Sequence, residues 1–170
     1  MSAIEVRARA LPELDNAPRL RALMDLEADL MLPIDVMTRV AAALEDQESA
    51  KALSRRLKLS NEERDRLVAA LGDEVKITSY MSLREMRRAI YKLGNEAFRD
   101  RVMRAWAASG SDKAQAWRAL VAHAMMWAPP KLPLSGDEIM AAGVPAGPKV
   151  GIIMREVEDW WIDADFPDDK

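Results

Sequence analysis

Cysteine is absent from these 170 residues, and histidine occurs once, as His123. The first absence excludes disulfides, thiolate metal sites and cysteine nucleophiles, and the second excludes histidine-rich metal centres. No apolar run approaches the ~20 residues that a membrane span needs. The opening MSAIEVRARALPEL lacks the apolar core of a secretory signal, so the cytoplasm is the expected location. What the chain does have is 49% hydrophobic residues, including eleven methionines and five tryptophans, ample for a bulky and adaptable core.

The formal net charge of −3 hides a strong asymmetry. Residues 1–50 carry −5, residues 51–118 carry +7, and residues 119–170 carry −5. Exposed charges are screened over ~8 Å at physiological salt, so a basic middle acts on its own surroundings.

Helical punctuation runs through the chain, which predicts an all-α fold: a multi-helix bundle ending in a helix-hairpin-helix tail. Three parts are expected: a lead-in over 1–15, exposed or partly detached; a helical body over 16–128; and a tail with an acidic end over 129–170. Asn16 with Pro18 starts a helix that Pro33 ends, and Asp35 caps the next, with Val36, Val40, Ala43 and Leu44 on its buried face. The polar break 45–48 precedes a helix with Ala50, Leu53 and Leu57 inward. Ser60 with Glu63, and Ser82 with Glu85, have capping-box spacing. Gly72 and Gly94 stop the helices that those boxes begin, and Leu83, Met86, Ile90 and Leu93 form the apolar face of the second. Val75 to Thr78 is the only strand-like tetrad. A helix from Glu96 carries Phe98, Val102 and Trp106. Asp112 is suited to cap the next, where Trp117, Leu120, Val121, Ala124 and Trp127 align before Pro129-Pro130.

The tail, PLSGDEIMAAGVPAGPKVGIIMREVEDWWIDADF, reads as a short helix, a Gly-Pro turn and a second helix with Val150, Ile153, Val157 and Trp160 on one face. Gly147, Lys149 and Gly151 sit where the second helix begins. Such a segment serves either as an αα-hairpin closing a core or as an amide-lined end for a nucleic-acid phosphate, and the residues alone leave both open. Two basic stripes stand out. Lys51, Arg55 and Lys58 fall at i, i+4 and i+7; Arg84, Arg88 and Lys92 fall at i, i+4 and i+8, with Arg87 adjacent. No acid is expected to answer either stripe from its own face, so each is a solvated face or a phosphate-contacting one. Four tryptophans sit at core-face spacing, with Trp161 off it. His123 reads as a structural or exposed residue on its helix's flank, and Asp163-Ala164-Asp165 as part of a solvated acidic end.

The pattern Pro133-Leu134-x-Gly136-x-x-Ile139-Met140, Gly143-Val144, Gly147-Pro148-x-Val150-Gly151, Glu158-x-Trp160 and Asp165-Phe166 resembles the C-terminal end of bacterial class II CCA-adding tRNA nucleotidyltransferases, grouped with the bacterial poly(A) polymerases. Arg55-Arg56-Leu57-Lys58-Leu59-Ser60-Asn61-Glu62-Glu63 is similar to a stretch of the same family's helical body. The resemblance implies a tRNA-docking part that holds the acceptor–T arm, with Lys51, Arg55, Lys58, Arg84, Arg87, Arg88, Lys92, Gly147, Lys149 and Gly151 as RNA-binding candidates. The family's G-G-x-V-R-D-like run and its paired carboxylates have no counterpart here, and neither does its Glu-Asp-x-x-Arg run. No catalytic or metal-binding residue is therefore expected. Mg²⁺, CTP and ATP belong to the head of a full-length parent, and this chain alone is expected to be inactive in nucleotidyl transfer. A helical scaffold with a protein partner is the rival reading, and a small DNA-binding protein using the hairpin is another.

Overall fold

The computed structural model describes residues 11, 13–110 and 112–167, and within them the chain is all-α, with nine helices and no strand. They are α1 (Ala17–Asp29), α2 (Val36–Ala43), α3 (Gln47–Leu57), α4 (Asn61–Ala70), α5 (Leu83–Leu93), α6 (Asn95–Ser109), α7 (Ala114–Met126), α8 (Gly136–Ala141) and α9 (Pro148–Asp163). All of the expected caps but one form. Asn16 accepts from Arg19 N, Asp35 accepts from Met37 N and Thr38 N, and the Ser60–Glu63 and Ser82–Glu85 boxes close in both directions. Asp46 caps α3 through Ser49 N inside what reads as a polar break, and Ser135–Glu138 makes a third box on α8. Asp112 does not cap α7. Lys113, in a left-handed conformation, precedes that helix and offers no side-chain cap.

The axis of the fold is α6, which packs against α1, α2, α4, α5 and α7. One side of it faces a cluster of Leu23, Ile90, Phe98, Val102, Met103, Trp106, Trp117, Leu120 and Val121. A second cluster of Ala41, Leu44, Ala50, Leu53, Leu67 and Leu71 joins α2, α3 and α4. Burying each large apolar side chain of these clusters contributes about 1.5–3 kcal/mol. Some apolar positions depart from the expected faces. Val36, Leu57 and Leu83 are exposed because each stands in the first or last turn of its helix, beyond the reach of the neighbouring element.

Residues 1–10 and 12 of the expected lead-in lie outside the described residues. Its described part is anchored, not detached: Leu11 and Leu14 pack on the second cluster, Glu13 pairs with Arg56, and Asp15 N donates to Ala43 O. Val75 to Thr78 lies in the irregular segment between α4 and α5, where Val75 and Ile77 pack on the first cluster.

Between the two clusters runs a polar seam. Asp100 of α6 is 1% exposed, takes a hydrogen bond from Thr38 Oγ1 (2.6 Å), and accepts both Nε (2.7 Å) and Nη2 (3.1 Å) of Arg66. The same guanidinium donates to Asp35 (2.6 Å), which also receives Arg99 (2.7 Å). Burial alone would lower the pKa of Arg66, but Asp100 and Asp35 outweigh it and raise it. Removing one partner of such a group strands the other's charge. Asp100→Ala is expected to lower stability by about 3–5 kcal/mol in urea denaturation, with much of the loss recovered by the apolar pair Arg66→Met/Asp100→Leu. A change within about 0.5 kcal/mol for Asp100→Ala would show that the seam is a bystander.

Candidate nucleic-acid interface

Helix α5 is set by its capping box at Ser82 and by Gly94, whose φ of 80° both ends α5 and begins α6. Its inner face buries Ala89 and Ile90, which turns Arg84, Arg88 and Lys92 outward as one exposed stripe. Arg87 is half-buried on the flank of that stripe.

The tail is built by two left-handed glycines. Gly143 has φ 98° and Gly147 has φ 148°, a region that favours glycine, and Pro148 then occupies the first turn of α9. No side chain caps α9. Lys149 and Gly151 are exposed, and a Cβ at Gly151 would meet open space.

What fixes the tail is the far end of α9. Arg87 donates to Asp165 (2.7 Å), Arg88 pairs with Asp163, and Tyr91 Oη donates to Glu158 (2.6 Å). Burial, then the Glu158 carboxylate, pushes the Tyr91 phenol up to about 12. Asp165 and Phe166 both have φ of 62°, which folds the chain back on itself. The Phe166 ring lies 5.0 Å from Trp161, 5.3 Å from Tyr91 and 5.5 Å from Trp127. Those separations fall in the range of favourable aromatic pairs.

Several expectations are corrected here. Trp160 is 63% exposed and Trp161 is 4% exposed, the reverse of the expected roles. Trp160 and Trp161 follow Val157 by three and four residues, so both fit the helical period, and it is Trp161 that meets Tyr91 and Phe166. Asp163 and Asp165 are ion-pair partners of the basic helix rather than a solvated end; Asp168 and Asp169 lie outside the described residues. The basic stripes are also less bare than expected. Lys51 pairs with Glu48 three residues back (2.6 Å), and the tail answers Arg87 and Arg88. Arg55 and Lys58 are exposed on α3, with Lys58 in a left-handed conformation past its end. The structure thus ties Arg87 and Arg88 to the tail and leaves Arg84 and Lys92 on the same helix without a tail partner among the described residues. It leaves Lys51, Arg55 and Lys58 on a helix that packs with α4. The signal in the sequence for the α5–tail link was opposite charge, two aspartates spaced two apart and two adjacent arginines.

Among the described residues no group of three or more histidines or carboxylates could hold a metal ion, and no helix is long and apolar enough to cross a membrane. No protein-family model matches this chain, and no curated protein matches it.

Two consequences can be measured. Trp161→Ala is expected to cost about 3–5 kcal/mol, since it empties the aromatic cluster, whereas Trp160→Ala stays within about 0.5 kcal/mol. Equal effects in thermal unfolding would contradict this assignment of faces. His123 stacks on Trp127 with centroids 5.9 Å apart, its Nε2 is buried without a protein partner, and burial followed by Arg87 lowers its pKa. A lowered histidine is neutral in both states above the ordinary value of about 6.5; below it the unfolded chain takes up the proton first, so stability is lost as pH falls. Melting temperature should therefore drop more between pH 7.5 and 5 for the parent than for His123→Gln. Parallel curves would place His123 outside the acid response.

Proposed function

We propose that this chain docks tRNA, binding the paired acceptor–T arm as the docking part of a class II CCA-adding or poly(A) polymerase-family protein. The observation that carries the reading is the lock between the tail and α5. The residues that resemble the family's C-terminal pattern are tied through Asp163, Asp165 and Glu158 to the helix that bears Arg84, Arg87, Arg88 and Lys92. The C-terminal end of the motif is thereby fastened to the helix that bears the basic stripe. Arg84 and Lys92 have no carboxylate partner among the described residues, so their charge is available to phosphates. Phosphate contacts of this kind position an A-form duplex by shape and backbone and read no sequence, which suits a protein that accepts every tRNA.

A protein-docking reading has its own observation. Ile34, Val36 and Met125 are exposed and line a cleft of about 420 Å³ together with Leu32, Pro33 and Met37, and Met31 and Met126 are exposed as well. A catalytic head of the parent, or another protein partner, is the occupant in that reading.

The test is salt-dependent binding to tRNA. Arg84→Gln/Lys92→Gln should weaken binding and reduce the slope of log affinity against log salt by about 1.8, roughly 0.9 for each phosphate that is no longer neutralised. Adding Arg88→Gln should change the slope by less than either of the others, because Asp163 already offsets that charge. Unchanged affinity and slope in the double variant would reduce the stripe to a solvated face.

A further inference from the structure

Between α4 and α5 the chain runs without helix through residues 72–82, and it is held down at two points. Buried Arg101 donates to Ala69 O (2.5 Å) and Val75 O (3.2 Å) and pairs with Glu74, while Val75, Ile77 and Met81 pack on the core. An anchored loop of this kind has no need to expose an aromatic ring, yet Tyr80 is 76% exposed. Its ring stands at the edge of a cleft of about 450 Å³ whose other wall is the face of α5 carrying Glu85, Arg88, Ala89 and Lys92. That volume falls within the roughly 300–1,000 Å³ of small-ligand sites.

The chemistry of the walls is uneven in a useful way. Val75, Met81 and Ala89 supply apolar surface. Both carboxylates are engaged, Glu74 by Arg101 and Glu85 by the Ser82 amide and hydroxyl. Arg88 is offset by Asp163. Lys76 and Lys92 have no ion-pair partner among the described residues, and Lys113 Nζ lies over one face of the Tyr80 ring, 5.9 Å from its centroid, in a loose cation–π contact that a base on that face would displace. An exposed aromatic ring beside apolar surface, bordered by unpaired ammonium groups, fits a flat heterocycle that carries anionic groups on either side. A fully paired duplex cannot present that, because its bases are stacked within the helix.

We infer that the cleft between the 74–81 loop and α5 binds an unpaired nucleotide of an RNA strand, its base against Tyr80 and its flanking phosphates on Lys76 and Lys92. This rests on the reading above that the chain binds RNA, and it adds a single-stranded contact beside the duplex-docking stripe. Stacking of a base on an aromatic side chain is abolished by alanine substitution and tolerated across base types.

The experiment measures binding of three probes to the full chain: a fluorescent single-stranded RNA hexamer, a blunt, fully paired RNA hairpin, and AMP as competitor. Tyr80→Ala should weaken hexamer binding about tenfold or more and leave the hairpin unchanged, while Tyr80→Phe binds as the parent. Lys76→Gln/Lys92→Gln should lower the hexamer's salt slope by about 1.4. Tyr80 is exposed, so an unchanged melting temperature for Tyr80→Ala confirms that the fold is intact. Hexamer binding that survives Tyr80→Ala, or a parent that binds no hexamer, overturns the inference. Displacement of the hexamer by AMP at matched concentration overturns it too, in favour of a mononucleotide site. Hairpin binding that persists in those cases leaves the docking proposal standing. Hexamer binding without hairpin binding does the reverse.

Discussion

One buried carboxylate ties the central helix to two of its neighbours. Asp100 lies on the central helix α6, and its two oxygens are shared between Thr38 of α2 and Arg66 of α4. Arg66 reaches on to Asp35, which caps α2, and Asp35 in turn receives Arg99 from α6. Three helices and one helix start are therefore specified by a single connected set of charge-assisted hydrogen bonds. Apolar surfaces hold the two clusters on either side, but they are tolerant of sliding. A fully satisfied polar network is not, because each displaced partner leaves a buried charge without compensation.

The tail shows how charge that looks free along a chain is spent in three dimensions. Residues 51–118 are strongly basic and residues 119–170 are acidic, and part of each meets the other where Arg87 and Arg88 receive Asp165 and Asp163. Within the α5 stripe, the charge that has no carboxylate partner among the described residues lies at its two ends, Arg84 and Lys92.

Local punctuation was readable in advance and tertiary choice was not. Asn16, Asp35, Ser60 and Ser82 act within three residues of themselves, so their roles follow from spacing alone. Asp112 misled because the turn before α7 places Lys113 in a left-handed conformation, a preference no capping rule contains. Phe98, Trp106, Trp117 and Leu120 were identifiable as core because polar residues flank them on their helices. Trp160 and Trp161 are exchanged because both fit the helical spacing from Val157, and the partner that decides between them, the Tyr91–Trp127–Phe166 cluster, is assembled from distant segments. The candidate interface was legible as a stripe of cations. Its coupling to the tail was hidden, since an ion pair across 75 or more positions leaves no periodic trace. Tyr80 has no distinguishing signal in the sequence, because the anchoring of its loop by Arg101 is a tertiary contact.

The junction at Gly94 has a mechanical meaning. A single residue separates α5 from α6, so the chain turns between them at one pair of backbone torsions, and the core packing of Ala89 and Ile90 holds α5 along its inner face. The tail acts as a diagonal brace. It fastens to α5 through Asp163 and Asp165 and reaches, through Phe166, to Trp127 at the end of α7, which itself lies along α6. Hinge, rod and brace close a triangle, the one planar frame that cannot shear without a member changing length. The angle at which α5 meets α6 is thus over-determined, set by the core beneath α5 and again by the end of α9 with the turn at Asp165 and Phe166 that follows it.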